Sequence, residues 1–221
     1  MSAPGDDARP VVVDRRQGAL GELVLRRAGH HFEVIANGTF LMDTRDGRSE
    51  RALVVEALRG MAGARLLLAG LGVGFSLRDA LDVAGASEVT VVELETAIVD
   101  WARTHLRAAA GGAIDDPRVS VVVGDLRELI GLLDSPYDAI CLDVDNGPGW
   151  LVHERNAWLY QDEGIAALGE LLAPGGRLAV WSSARDAAFE RRMYMRFAEM
   201  RAIEIPVARG PADVIYVAGV R

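Results

Sequence analysis

A chain of 221 residues, half of them apolar and a quarter charged, fits one domain with a small appendage and can bury a sizeable core. Its net charge is −8 and no basic run exceeds two residues, which excludes the clustered Lys and Arg of a nucleic-acid groove. That acidity is compatible with a cationic substrate, though solubility alone would explain it. No apolar run approaches the roughly 18 residues of a membrane-spanning helix. The single Cys141 lies in an apolar run, so it reads as a core thiol, and the expected location is cytoplasmic.

Met1 to Pro10 are polar, carry no signal-peptide core and read as a frayed, disordered tail (residues 1–10). Residues 11–62 then read as an N-terminal β-rich subdomain with a linking helix. Strands are predicted at Gly21–Arg27, His31–Ala36 and Thr39–Asp43. Asn37-Gly38 between the last two is a two-residue hairpin signal, because both residues accept positive φ. Ser49 is expected to cap a helix reaching Arg59.

From residue 63 to 221 strands alternate with helices. Strands are predicted at Arg65–Ala69, Val89–Leu94, Val119–Val123, Tyr137–Asp143 and Arg177–Trp181. Helices are predicted at Ser76–Ala84, Thr96–Ala110, Leu126–Leu133, Asp162–Leu172 and Ala187–Met200. Ile203–Val207 and Val214–Ala218 suggest a closing antiparallel pair. Continuous apolar strands between helices mean burial on both faces. The expected fold is therefore α/β: a Rossmann-like, doubly wound, mostly parallel sheet with a small N-terminal β-hairpin subdomain. Ligands of such sheets bind beyond the carboxyl ends of the strands.

Four segments fall at those ends. Gly70-Leu71-Gly72-Val73-Gly74 follows the first strand, and its glycines let the backbone turn tightly and approach a ligand. Glu93 and Leu94 end the second strand, 19 residues past Gly74, where a carboxylate accepts hydrogen bonds from both hydroxyls of a ribose. Glu95 reads as solvated. Asp125 and Leu126 follow the third strand: Asp125 is placed either to accept from an adenine amino group or to cap the next helix, with Leu126 packing on the ring. Asp143, Asp145 and Asn146 follow the fourth, where a carboxylate can take a proton or steady a cation. Trp150 and Tyr160 are taken as substrate-binding, either as part of a lid with Trp158 or by packing the next helix. Trp181 serves the crevice or the core. The four histidines show no metal-ligand spacing, so no metal is expected.

These segments carry a resemblance to spermidine synthases, the polyamine aminopropyltransferases, over about residues 20–220. Leu66 to Ala80, with Ser76, Leu77 and Arg78 after the glycines, is similar to that family's glycine-rich segment. Val91-Val92-Glu93-Leu94-Glu95 resembles its ribose-binding strand end. Asp115 to Val119 with Val123-Gly124-Asp125 resembles its third-strand region. Tyr137-Asp138-Ala139-Ile140 leading to Asp143 looks like its catalytic-loop entry, and Leu172-Ala173-Pro174-Gly175-Gly176 its turn before strand five. Leu68 stands where ordinary methyltransferases usually carry an acid. Other positions depart from the pattern. Val73 replaces an Asp, Glu50-Arg51 stand where the family has Tyr-His or Tyr-Gln, and Asp145-Asn146-Gly147-Pro148 is rearranged by about one residue. The acidic tunnel for a long polyamine is therefore expected to be partly dismantled. The sequence looks like a divergent bacterial branch of the family, within the class I S-adenosylmethionine-dependent methyltransferase fold.

The resemblance implies a transferase moving an aminopropyl group from decarboxylated S-adenosylmethionine to a small-molecule amine, with Asp143 taking the proton. A homodimer is expected, and the charge and the lack of a long apolar run argue for no nucleic-acid or membrane partner. Two further readings stay open: a methyl or other transfer from S-adenosylmethionine itself, and a nucleoside-binding protein without activity. An acidic amine pocket would favour the first, and a carboxylate-binding contact near the glycine turn the second.

Overall fold

A computed structural model of the protein describes residues 9–208 and 210–220. Most of the tail expected over residues 1–10 lies outside the described residues. Four antiparallel strands form a small sheet in the order β1-β2-β3-β4: β1 (Val11–Gly18), β2 (Gly21–Ala28), β3 (His31–Ala36) and β4 (Thr39–Asp43). The Asn37-Gly38 turn has φ of 49° and 81°, as the hairpin signal requires. β1 has no counterpart in the sequence reading. Its side chains are mostly exposed, with Val11 and Val12 at 60% and 50%, so it shows no burial period. Backbone pairing with β2 holds it instead.

α1 (Arg48–Ala57) links this sheet to the larger one. Gly47, not Ser49, is its N-cap. Ser49 is buried in the first turn, where its hydroxyl donates to Glu50, and the Arg48 N–H is taken by the Asp46 carboxylate instead.

The larger sheet contains β5 (Arg65–Ala69), β6 (Glu88–Glu93), β7 (Val119–Val123), β8 (Tyr137–Leu142), β9 (Leu172–Ser182), β10 (Glu199–Ile205) and β11 (Asp213–Gly219), ordered β10-β11-β9-β8-β5-β6-β7. Strands β5 to β9 pair in parallel and the last two antiparallel. Leu66, Leu67, Leu68, Ile140 and Cys141 are fully buried, the two-sided burial that a run of apolar residues signals. The helices are α2 (Phe75–Asp82), α3 (Thr96–Arg103), α4 (Leu126–Leu129), α5 (Asp162–Glu170) and α6 (Ala187–Arg196). Among the described residues no helix is long and apolar enough to cross a membrane.

Three helices stop four or more residues short of their sequence expectation, α4 because it tightens into a 3-10 turn over Ile130–Leu132. α3 ends at Arg103 because Thr104 leaves helical geometry and Leu106 turns into the core. The alanine-rich stretch after it keeps helical propensity but makes turns, which bring Ala110 onto Gly74: a Cβ on that glycine would stand 2.6 Å from the alanine's own. α6 ends at Arg196 because Phe197 is extended and Glu199 already pairs with Gly219. β9 starts early, at Leu172, and absorbs the Pro174-Gly175-Gly176 turn where its register against β8 shifts.

After β5 the chain builds outward through β6 and β7, then returns to β8 on the other side of β5. The carboxyl ends of β5 and β8 therefore diverge at a switch point, and a crevice opens between them.

Candidate functional site

One cleft collects nearly all the residues singled out in the sequence. Gly70, Gly72, Glu93, Leu94, Asp125, Leu126, Asp143, Asp145 and Asn146 line it. The turns of the small sheet close one side through Leu20, Glu22, Asn37 and Met42, and Glu50 enters from α1. Gly74 stands just behind, as the left-handed N-cap of α2. Gly70 has φ +93°, and a Cβ on it would overlap the Asp143 carbonyl. The first turn and the β8 loop touch there, and only glycine fits.

Glu93 is buried, and its two oxygens already accept backbone N–H groups, from Leu71 at 2.9 Å and from Glu95 at 2.9 Å. Its carboxylate thus ties the glycine turn to the end of β6 while facing the cleft. With the Leu94 N–H also drawn on, the carboxylate's four acceptor sites still leave room for a ligand hydroxyl. Burial pushes its pKa up, against the pull of those N–H groups. Asp125 caps α4 by accepting the Arg127 N–H at 3.0 Å and pairs with the Arg127 guanidinium at 2.8 Å. That pair holds its pKa below the usual range. The capping half of the expectation is realised, and the side chain still lines the cleft.

Asp143 differs from these acids. Burial, then the negative charges of Glu50, Asp213 and Glu93, push its pKa up to about 8, and no hydrogen bond offsets them. Glu50 is pushed upward too, first by burial. Asp145 is committed to its own loop: its carboxylate accepts N–H groups of Asn146, Val152 and His153 and the amide of Asn156 at 2.6–3.2 Å. The loop that the sequence reading found shifted is thus folded around Asp145, which leaves Asp143 as the unencumbered acid. The backbone carbonyl of Asn146 accepts both the N–H and the hydroxyl of Ser183.

Some residues fall elsewhere. Trp150 is 62% exposed and does not line the cleft. Tyr160 is buried behind it, edge-on to Phe189 at 5.8 Å. Trp181 does line the cleft. Glu95 is not solvated: it is buried and accepts the N–H groups of Ala19 (2.9 Å) and Leu20 (3.1 Å), fastening the β1–β2 turn to the large sheet. The sequence offered no signal for this, since the partners lie 76 and 75 residues away. Glu50 registered in the sequence only as a missing family residue, yet it adds a carboxylate to the cleft. The acidic lining comprises Glu22, Glu50, Glu93, Glu95, Asp125, Asp143 and Asp145, with no Lys or Arg among the described residues. Nor do the described residues form a cluster suited to a metal ion.

Comparison with known proteins bears on the family and the fold. A family model described as spermine/spermidine synthase domain matches residues 60–202. A polyamine aminopropyltransferase of Mycobacterium tuberculosis is 34% identical over 173 residues, covering 76% of this chain and 32% of its own length. One from Korarchaeum cryptofilum is 30% identical over 118 residues, covering 53% of this chain and 35% of that one. The chain thus spans about a third of the length of the curated relatives it matches. Among solved structures, a spermidine synthase in complex with the transition-state analogue AdoDATO superposes with a TM-score of 0.77 at 18% identity, covering 94% of this chain and 73% of that one. The Thermotoga maritima spermidine synthase gives 0.75 at 18%, covering 94% and 72%. These likenesses confirm the fold, a mostly parallel sheet of the class I methyltransferase type carrying an N-terminal antiparallel sheet.

Proposed function

The chain belongs to the spermine/spermidine synthase family, and on that premise we propose that it transfers an aminopropyl group from decarboxylated S-adenosylmethionine to a small-molecule amine. The observation that carries this reading is the charge of the cleft: seven carboxylates and no Lys or Arg among the described lining residues. S-adenosylmethionine itself carries an α-carboxylate, which this lining would repel. The decarboxylated donor presents only an ammonium and a sulfonium, both cations. An amine acceptor adds a third positive group, which the same field attracts.

The residues divide the work by position. Gly70 and Gly72 bring backbone close to the ligand, and Glu93 faces the ribose hydroxyls with its remaining acceptor capacity. Asp125 and Leu126 meet the adenine. Asp143 stands where the β5 and β8 ends diverge, next to Glu50. An alkylammonium has a pKa of about 10.4 and must lose a proton before it can attack. Asp143, with a pKa of about 8, is poised to exchange that proton near neutral pH. Entry of the donor's positive charge draws Asp143 toward its ionised form, which then takes the proton from the acceptor ammonium. The freed lone pair attacks the aminopropyl carbon next to sulfur. The C–S bond breaks with its electrons going to sulfur, and methylthioadenosine leaves as a neutral thioether. The product carries the positive charge on its new secondary ammonium, and Asp143 returns its proton to solvent. Holding the two reactants in line supplies much of the acceleration.

The test pairs both sulfonium donors with putrescine, cadaverine, agmatine and shorter amines, and follows thioether release. Release that requires the decarboxylated donor and an amine supports the reading. Turnover with S-adenosylmethionine alone among the donors would replace it with methyl transfer.

A further inference from the structure

A second cleft opens on the opposite side of α1 from the first, and its charge is reversed. Its walls are the β2–β3 turn and the start of β3, the link after β4, the first turn of α1 and the turns after α3. Three guanidiniums face it, from Arg45, Arg48 and Arg51, together with the imidazoles of His30, His31 and His105. The fold sorts the charges sharply, because α1 gives Glu50 to the acidic cleft and Arg48 and Arg51 to this one. Phe75 lines both, so one ring separates them.

Two of the arginines are held in place by neighbours. Arg45 is clamped by Glu33 and Asp43, and Arg48 by Asp46, the one carboxylate among the described lining residues. Arg51 differs. Its guanidinium lies 4.4 Å from the centre of the Phe75 ring, and its Nε is buried with no hydrogen-bond partner. The residue is half-buried, and its charge acts on the same Asp46 carboxylate that clamps Arg48. In a chain of net charge −8, a concave surface gathering three guanidiniums and three imidazoles is matched to a ligand with many acceptor oxygens.

The geometry points to a second binding site here, for a phosphate-type anion, separate from the nucleoside cleft and backed against it through Phe75. The anion accepts from Arg51 and from the N–H groups of Arg45 and Arg48 that their carboxylate partners leave over, with His105 among the other lining residues. This inference does not depend on which group the acidic cleft transfers.

The experiment is calorimetric titration of the full chain with inorganic phosphate and with pyrophosphate, against chloride at matched ionic strength. Methylthioadenosine is titrated in parallel. Both anions should bind saturably in the millimolar range or tighter, pyrophosphate the more tightly. Arg51→Gln should weaken both about tenfold, the loss of one charge-assisted donor. His105→Ala, on an exposed turn, should weaken them as well and serves if Arg51→Gln does not fold. Methylthioadenosine affinity should stay within about a factor of two with the anion present and in both variants. No saturable heat from either anion, anion binding unchanged in the variant that folds, or competition between anion and methylthioadenosine would overturn the assignment. Failure of methylthioadenosine to bind at all would count against the transferase reading and leave the anion site standing.

Discussion

Asp143→Asn should make the protein more stable and far less active. In the folded chain the carboxyl titrates near pH 8, against the ordinary 3.8. Below 3.8 both folded and unfolded chains hold the proton, and the burial of Asp143 costs nothing through ionisation. Between there and pH 8 the folded chain keeps a proton that the unfolded chain has released, so stability falls by about 1.4 kcal/mol per pH unit from this group alone. Above 8 the loss levels off. The upshift of about four units sets a ceiling of about 6 kcal/mol, of which about 4 kcal/mol is already lost at pH 7. Asn has the same shape and never ionises, so it removes the slope. Its amide is still buried, which returns part of the gain, and a net stabilisation of about 2–4 kcal/mol at pH 8 is expected. Glu50, Glu93 and Asp213 also have raised values, so the wild-type curve contains their slopes too. The difference between the two curves isolates Asp143 together with its coupling to them. Urea denaturation of both proteins at half-unit steps from pH 5 to 8.5 gives that difference. Parallel curves would show that Asp143 ionises normally in the folded chain and would refute the electrostatic argument. Turnover of Asp143→Asn should drop by about 10²–10⁴-fold with nucleoside affinity nearly intact. Turnover within a factor of about two of wild type would remove Asp143 from the chemistry.

Other outcomes follow from the same geometry. kcat/KM should rise with pH through about 8, because the base must be ionised in the free enzyme, and a flat profile from pH 6 to 9 would contradict that role. Glu93→Ala should weaken methylthioadenosine binding and also destabilise the fold by about 2–4 kcal/mol, since it strands the Leu71 and Glu95 N–H groups; calorimetry and denaturation measure the two losses separately. Glu95→Ala should free the β1–β2 turn, seen as faster hydrogen exchange at Ala19 and Leu20, at a cost of about 1.5–3 kcal/mol. Trp150→Ala should leave kcat/KM within a factor of about two, because the ring stands outside the cleft.

The sequence by itself determined the α/β architecture and where its cleft would form. Runs such as Leu66 to Ala69 and Ile140 to Leu142 are too apolar for any place but a two-sided core. The glycines of Gly70 to Gly74 and the acids at strand ends mark the crevice because parallel strands deliver their carboxyl ends to one side. These are local signals, each readable within a few residues. What tertiary structure alone decided is which carboxylates are free. Glu93, Glu95, Asp125 and Asp145 are alike in sequence, yet each is occupied by N–H groups or a guanidinium that the fold brings to it. Asp143 is left without a hydrogen bond, and it shares the cleft with Glu50, which holds only the Ser49 hydroxyl and its own backbone and comes from a helix 93 positions earlier in the chain. The same holds for β1, which shows no burial period and exists through its pairing with β2, and for the end of α3, where helical propensity yields to the packing of Ala110 on Gly74. A carboxylate's charge and reactivity depend on the distances and burial that surround it, and neither is a property of neighbouring letters in the chain.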